Sequence, residues 1–147
     1  MQLRQLDNIS EESDRSLLQQ WILAFRLDIG ESLNEDVEQV IESGLKQQEI
    51  YLWEDGHGWP VSIAAGRAAG SIARIGLVYT PPEQRQQGYA TAAVAAVSQI
   101  LLNQGYQRCF LLTDLANPTS NYIYREIGYQ AVCDWQEYSI EINKSAT

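Results

Sequence analysis

The sequence predicts an α/β fold in which one mixed β-sheet is flanked by about four helices. The chain has 147 residues, the usual size of one domain, and no linker-like segment divides it. Its first third holds two stretches with helical hydrophobic spacing, and the rest alternates short apolar runs with further helical segments. Elements in that succession pack as helices against a central sheet. We therefore expect a single domain over residues 1–147 with the order β-α-α-β-β-β-α-β-α-β(β).

The first third of the chain is predicted to form one strand, over residues 3–6, and two helices. In both helices apolar side chains recur at i, i+3, i+4 or i+7, as on one face of an amphipathic helix. The expected inner faces are Leu18, Trp21, Ile22 and Phe25 in the first helix and Val37, Val40, Ile41 and Leu45 in the second. The expected boundaries are Asn8 or Ser10 before the first helix, Gly30 after it, and Asn34 as the cap of the second, with Glu35 and Asp36 in its first turn.

Glycine and proline separate the remaining elements. Strands are expected over residues 50–53, 61–65 and 71–79, and Pro81-Pro82 ends the third because proline cannot donate a hydrogen bond to a strand ladder. A long helix follows, with Ala90, Val94, Val97 and Leu101 on one stripe and Gly105 at its end. The last expected elements are a strand over 108–113, a helix from Asn117-Pro118 to Gly128, and one strand or a tight hairpin over 129–142.

The net charge of −9 is spread unevenly along the chain. Residues 1–60 hold 4 Lys/Arg and 13 Asp/Glu, a net of −9, whereas residues 61–147 hold 6 of each. An acidic chain does not suit a phosphate backbone, so we expect no nucleic-acid partner. The acidic part has two interpretations: a solvated helical surface that aids solubility, or an acidic rim that attracts a cationic partner.

The cysteines and the apolar runs bear on compartment. Cys109 and Cys133 lie far apart without a CxxC pattern, in a chain with a single histidine. We therefore expect reduced, buried thiols, no metal site and a cytoplasmic location. No run approaches the ~18 apolar residues of a membrane span, and the N-terminus lacks the apolar core of a signal peptide, so no membrane partner is expected.

The segment from Val78 to Thr91 is the most informative candidate site. A predicted strand leads into the polar loop 83–88, and a predicted helix follows. At such a junction several backbone N–H groups point one way and the helix dipole adds to their field, which favours an anion. Gly88 allows close approach of the backbone, and Ala90 keeps the first turn thin. Arg85 adds a positive charge. A nucleotide-binding domain is disfavoured, since the Walker ending and two of the three dinucleotide-fingerprint glycines are missing.

Two segments resemble motifs of one superfamily. Residues 76–91 resemble motif A of the GNAT acetyltransferases, in which the fourth strand precedes an (R/Q)xxGx(G/A) loop. Residues 117–129 resemble motif B, with Asn, a short helix and then Tyr-x-x-hydrophobic-Gly-aromatic. The resemblance covers about residues 49–142. It implies the GNAT fold, acetyl-CoA as cosubstrate without a metal, and acetyl transfer to an amine-bearing acceptor by direct attack in a ternary complex.

The resemblance also implies a role for each matching position. The strand that pairs with the pantetheine arm is represented by Val78, Tyr79 and Thr80, and the backbone N–H of Val78 is the implied donor to the thioester carbonyl. Asn117 is implied to contact the pantetheine region, and Tyr124 to place its phenol beside the CoA sulfur. The implied pyrophosphate loop consists of Arg85, Gln86, Gln87, Gly88, Tyr89, Ala90 and Thr91.

Tyr124 is thus the implied catalytic residue. A phenol has a pKa of about 10 and a thiol of about 8.5, so full proton transfer to the thiolate is uphill by roughly 2 kcal/mol. A hydrogen bond to the developing thiolate is therefore the expected role. Many GNAT relatives carry a glutamate base on the fourth strand, but residues 71–79 contain no carboxylate. The other candidates near strand ends, for which no spacing argument exists, are Glu54, Asp55, His57 and Asp114.

The absence of an identified base bears on the acceptor. Deprotonating an α-amine at pH 7 costs about 1 kcal/mol, against about 4.6 kcal/mol for an alkylamine. The site therefore favours the former, or a water chain to bulk solvent, while an acidic rim would favour a cationic acceptor. The main alternative is an acyl-CoA-binding regulatory or sensor domain with little catalysis, against which Tyr124 argues because a sensor needs no partner for the sulfur. Monomer and homodimer both stay open.

Overall fold

The computed structural model of the chain describes residues 2–7, 12–28, 36–112, 124–125, 128–131 and 137–141. A short 3₁₀ turn, Pro82–Gln84, follows the fourth strand. The helices are α1 (Glu12–Asp28), α2 (Val37–Lys46) and α3 (Tyr89–Asn103). The strands are β1 (Gln2–Gln5), β2 (Ile50–Glu54), β3 (Pro60–Ala69), β4 (Ile72–Tyr79), β5 (Arg108–Leu112), β6 (Gln130–Ala131) and β7 (Glu137–Glu141).

The described strands form one sheet in the order β1-β2-β3-β4-β5-β7-β6. Strand pairs are antiparallel except for β4 and β5, which run parallel because α3 carries the chain back across the sheet between them. The sheet is therefore mixed, and the predicted fold class is confirmed. The C-terminal strands β6 and β7 pair with each other, so the hairpin rather than the single strand is the correct alternative.

Helices cover both faces of the sheet. On one face α1 and α2 bury Leu18, Ile22, Ile41 and Leu45 against β2 and β3, as their apolar spacing predicts. On the other face α3 buries Val94, Val97 and Leu101. A Cβ atom at Gly66 of β3 would lie 2.7 Å from Leu101 Cδ1, so the missing side chain lets α3 lie close to the strand.

An arginine fixes the N-terminal edge of the sheet to α1. Arg4 of β1 contacts Asp14 of α1 through two nitrogens, at 2.9 and 3.1 Å, and Glu54 of β2 through Nε at 3.1 Å. Both carboxylates are buried, and the hydrogen bond to Asp14 is the largest cause that raises the pKa of Arg4. Buried carboxylates need such a partner, so this ion pair network orients α1 on the sheet.

Element boundaries depart from the sequence predictions in small ways. Helix α2 begins after Asp36, whose carboxylate accepts the Glu38 N–H at 3.0 Å, so Asn34 is not its cap. β1 covers residues 2–5 rather than 3–6, and β3 extends to Ala69. The predicted caps Asn8, Ser10 and Gly30 lie outside the described residues. So does the helix predicted after Asn117, apart from residues 124–125, which are helical.

Candidate active site

Strands β4 and β5 diverge towards their carboxyl ends. Parallel pairing joins only residues 72–74 of β4 to residues 108–110 of β5, although β4 continues to Tyr79 and β5 to Leu112. Among the described strands, residues 75–79 therefore have a neighbour only on the β3 side. Within the described residues, the last half of β4 has no strand partner along this edge, and an extended ligand can bind such an edge as an added strand.

A β-bulge interrupts β4 along the same open edge. Ile63 pairs with Tyr79 and Ala65 with Gly76, so two steps on β3 match three on β4. The extra residue falls at Leu77, whose φ of +52° lies in the left-handed region. A bulge turns the backbone groups next to it away from the regular ladder. Val78, the residue that the motif assigns to the thioester carbonyl, follows this bulge directly.

A buried hydroxyl pair holds the end of β4. The Ser62 hydroxyl donates to the Tyr79 carbonyl at 3.0 Å. Because a hydroxyl has one proton, the contact of 2.9 Å between the Ser62 and Thr80 hydroxyls has Thr80 as the donor. Ser62 is fully buried and Thr80 is 8% exposed. These two bonds fix the backbone where β4 passes into the loop, and the sequence analysis did not single out Ser62.

The N-terminus of α3 is open at the same end of the sheet. Gly88 is its N-cap, with φ +81°, and no side chain caps the helix there. Among the described residues other than its chain neighbours, a Cβ atom at Gly88 would meet no atom within 4 Å. Gln86 also has a positive φ, +65°, so the loop has a tightly defined shape. The first-turn N–H groups of a 15-residue helix are thus left for an anion.

Arg85 lies beside this loop and turns towards α1. Its Nε donates to the Thr80 carbonyl at 2.8 Å, and its Nη2 lies 2.8 Å from Asp28 Oδ2. Its guanidinium carbon is 5.7 Å from the centre of the Tyr79 ring. The positive charge expected for the pyrophosphate is therefore shared with a carboxylate in this structure, and direct contact with an anion stays a prediction.

Tyr124 lies at the end of a helical turn that glycine closes. Tyr129 N–H donates to the Tyr124 carbonyl at 3.0 Å and Gly128 N–H to the Arg125 carbonyl at 3.1 Å, with a φ of +106° at Gly128. These are the two bonds of a Schellman motif. The Tyr124 ring packs edge-on against Tyr129 at 6.3 Å, and burial raises the pKa of its phenol. At neutral pH this phenol is a proton donor.

Tyr124 and Val78 share one face of the molecule. Both pack against the buried cluster that α3 forms with the central strands. Tyr129 is anchored in that cluster, since its hydroxyl lies 2.6 Å from Ser98 Oγ of α3. The structure thus brings the motif B tyrosine and the bulged strand of motif A to the same side of the sheet.

A family model described as FR47-like protein matches residues 57–140, more than half of the chain. The chain belongs to the FR47-like protein family. The matched region includes β4 with its bulge, the loop, α3 and Tyr124, so the family match covers all parts of the site in this FR47-like chain. No curated protein sequence matches the chain significantly.

Solved structures share the fold at low sequence identity. Spermidine N-acetyltransferase from Vibrio cholerae, solved with CoA and spermine, has a TM-score of 0.79 at 14% identity, over 99% of this chain and 98% of that one. Ribosomal-protein-alanine N-acetyltransferase from Brucella melitensis has a TM-score of 0.75 at 13% identity, over 97% and 100%. A GNAT family acetyltransferase from Brucella melitensis, solved with acetyl-CoA, has a TM-score of 0.69 at 16% identity, over 97% of this chain and 88% of that one. The GNAT fold that the two motifs imply is therefore confirmed for the FR47-like chain.

The carboxylates near the strand ends of the FR47-like chain are engaged. Glu54 is 6% exposed, and its two carboxylate oxygens accept hydrogen bonds from the Gln2 amide and from Arg4. Asp55 accepts the backbone N–H groups of Trp59 and His57, which hold its pKa below the ordinary value and make it a weak base. Asp114 and Asn117 lie outside the described residues. In the described ranges no group of three or more His, Cys, Asp and Glu side chains could hold a metal.

Proposed function

We propose that this chain is an N-acetyltransferase that transfers the acetyl group of acetyl-CoA to an amine acceptor by direct attack in a ternary complex. The observation that carries the proposal is the open, bulged edge of β4 next to the uncapped N-terminus of α3. The first feature suits a pantetheine arm and the second a diphosphate. Neighbours of the same fold that contain CoA or acetyl-CoA support this choice of cosubstrate.

The residues present fit this cosubstrate. Val78, Tyr79 and Thr80 would pair with the pantetheine through their backbone, and the loop from Arg85 to Thr91 would hold the diphosphate. Gly88 has open space where a side chain would stand, and the first-turn N–H groups behind it complement negative charge. Asn117 is proposed to contact the pantetheine on the strength of the motif alone.

The chemistry needs an oxyanion donor and a partner for the leaving sulfur. Acetyl-CoA supplies a thioester carbonyl that an amine can attack, with release of the thiolate. The Val78 N–H, re-aimed by the bulge, would donate to the carbonyl oxygen. Tyr124 would donate to the sulfur, and burial keeps its phenol protonated for that purpose.

The acceptor is proposed to be an amine, and the acidic helices favour a cationic one. Exposed acidic side chains on α1, on α2 and at the N-cap of α2 include Glu12, Asp36, Glu38 and Glu42. Their field raises the local concentration of cations near α1 and α2. A cytoplasmic location belongs to the same proposal, and the fully buried thiol of Cys109 is consistent with it. None of the described helices is long and apolar enough to cross a membrane.

Release of free CoA thiol with a panel of amines tests the activity. An N-acetyltransferase releases thiol only in the presence of an accepted amine, and mass spectrometry should show one acetyl group on the product. CoA binding without amine-dependent release for any amine would favour the regulatory or sensor domain instead.

Substitution of Gly88 tests the CoA loop. Asp at this position places a carboxylate about 5 Å from two phosphate charges, which at an effective dielectric near 40 costs about 1.7 kcal/mol for each charge. We expect Gly88→Asp to weaken CoA binding by about 10- to 300-fold in calorimetry. Gly70→Asp is the matched control, because Gly70 also has a positive φ, +68°, and open space around its Cβ position, but lies in the β3–β4 turn. Equal CoA affinities for the two variants would contradict the assignment.

A further inference from the structure

The negative charge of Asp28 lies near the C-terminal end of α1, where the helix dipole does not favour it. Asp28 is the last described residue of this helix. Its partner is Arg85, 57 residues away in the sequence, at 2.8 Å. The two side chains are 52% and 46% exposed, so the pair is accessible to water and easily exchanged. The contact with the loop therefore gives this carboxylate a partner outside its own helix.

The contact belongs to a stack that joins α1 to the end of β4. Trp21 lies on the same face of α1 as Asp28. Its ring packs on the Tyr79 ring, with 6.1 Å between the ring centres and 53° between the ring planes. Arg85 lies over the same tyrosine and donates to the Thr80 carbonyl, which closes the loop from residue 80 to 85. Burial and the nearby Asp28 charge raise the pKa of Tyr79, so the ring stays neutral beneath the guanidinium. We call Trp21, Asp28, Tyr79 and Arg85 the α1–loop latch.

We propose that Asp28 is a positioning residue for the candidate CoA loop: it holds the Arg85 guanidinium over the Tyr79 ring, with Nε donating to the Thr80 carbonyl. The loop then keeps the positive φ angles at Gln86 and Gly88 that place the N-terminus of α3 beside the open edge of β4. The identity of the anion as the CoA diphosphate rests on the proposed function. The positioning of the loop itself does not.

The latch predicts that removal of Asp28 weakens CoA binding, whereas removal of a carboxylate that acts only through its negative charge would strengthen it. A carboxylate that acted only through its field would repel the diphosphate, and its removal would tighten binding. A positioning carboxylate acts through Arg85, and its removal loosens the loop and weakens binding. For an exposed pair we expect a loss of about two- to fivefold in CoA affinity.

The first test is hydrogen exchange of the ligand-free protein. Asp28→Ala should speed amide exchange over residues 81–91, whereas Glu42→Ala, which removes an exposed carboxylate from α2, should leave that segment unchanged. Asp28→Glu keeps the carboxylate on a side chain one methylene longer, so it should retain most of the protection against exchange. Unchanged exchange in Asp28→Ala would overturn the latch, and this result does not depend on whether CoA binds.

The second test is a double-mutant cycle on CoA affinity, measured by calorimetry. Asp28→Ala should weaken binding about two- to fivefold in the wild-type background and have no further effect in Arg85→Ala. Pantetheine, which lacks the phosphates, should bind Asp28→Ala and the wild type alike. Tighter CoA binding, or the same loss in both backgrounds, would refute the positioning role. If the wild type itself bound no CoA, the proposed function would fail while the exchange experiment still decided the latch.

Discussion

Removal of the Tyr124 hydroxyl should lower turnover by an amount that its surroundings allow us to bound. Burial holds the phenol pKa above its ordinary value, which makes full proton transfer to a thiolate uphill by more than about 2 kcal/mol. The hydroxyl therefore contributes as a hydrogen-bond donor, and a hydrogen bond to a charged group is worth about 1.5–3 kcal/mol. At about 1.4 kcal/mol for each factor of ten, Tyr124→Phe should lower kcat by roughly 10- to 150-fold.

The phenylalanine ring keeps the packing against Tyr129, so the Kd for acetyl-CoA and the Tm should change little. Because the pKa is raised, ionisation of Tyr124 should not limit the wild-type rate until the pH exceeds about 10. Tyr51→Phe is the control, since it loses a hydroxyl from the same core cluster and should leave kcat unchanged. Steady-state kinetics with thiol detection measure both variants. An unchanged kcat in Tyr124→Phe would refute the catalytic role and make Tyr124 a packing residue.

Two further predictions concern stability and the acceptor. Arg4→Met should lower the free energy of unfolding by about 3–5 kcal/mol in urea, because it leaves buried Asp14 and Glu54 without their cation. Arg67→Met, which breaks the exposed pair with Glu49 at 3.4 Å, should cost at most about 1 kcal/mol. For a cationic acceptor, kcat/KM should fall as salt rises from about 0.02 to 0.3 M, while the KM for acetyl-CoA should not rise for this reason. The double variant Asp36→Asn with Glu38→Gln should flatten that salt dependence and keep α2 intact, since Asn also caps helices. An unaltered salt dependence would show that these acidic charges do not attract the acceptor and serve only solubility.

The order of the elements could be predicted because each depends on nearby residues. The helical spacing of Leu18, Trp21 and Ile22 and the glycines at residues 88 and 105 are local signals, and the structure agrees with them. The cap of α2 was misplaced because Asn34 and Asp36 offer the same kind of acceptor to a helix start. The local sequence therefore carries no signal that selects Asp36, the N-cap in the structure.

The side-chain contacts of the site could not be predicted from the sequence for a different reason. Ser62 and Thr80 are 18 residues apart, and Asp28 and Arg85 are 57 apart, so each pair meets only through the register of the sheet and the placement of α1. The bulge at Leu77 could not be predicted from the sequence either, since leucine rarely adopts a positive φ. The position of the loop could be predicted from its glycine, whereas the contacts that hold its shape could not.

The two halves of the candidate site depend on the sequence in different ways. The cosubstrate half consists mainly of backbone: the open edge of β4, its bulge and the first turn of α3. Many side chains can support such groups, which explains how structures only 13–14% identical share this fold. One of those neighbours is a spermidine and the other a ribosomal-protein-alanine N-acetyltransferase, so the fold leaves the acceptor undecided. The acceptor of the proposed reaction must therefore be sought in the side chains of this chain, and the uneven charge, with a net of −9 in residues 1–60, makes the α1–α2 surface the first place to mutate.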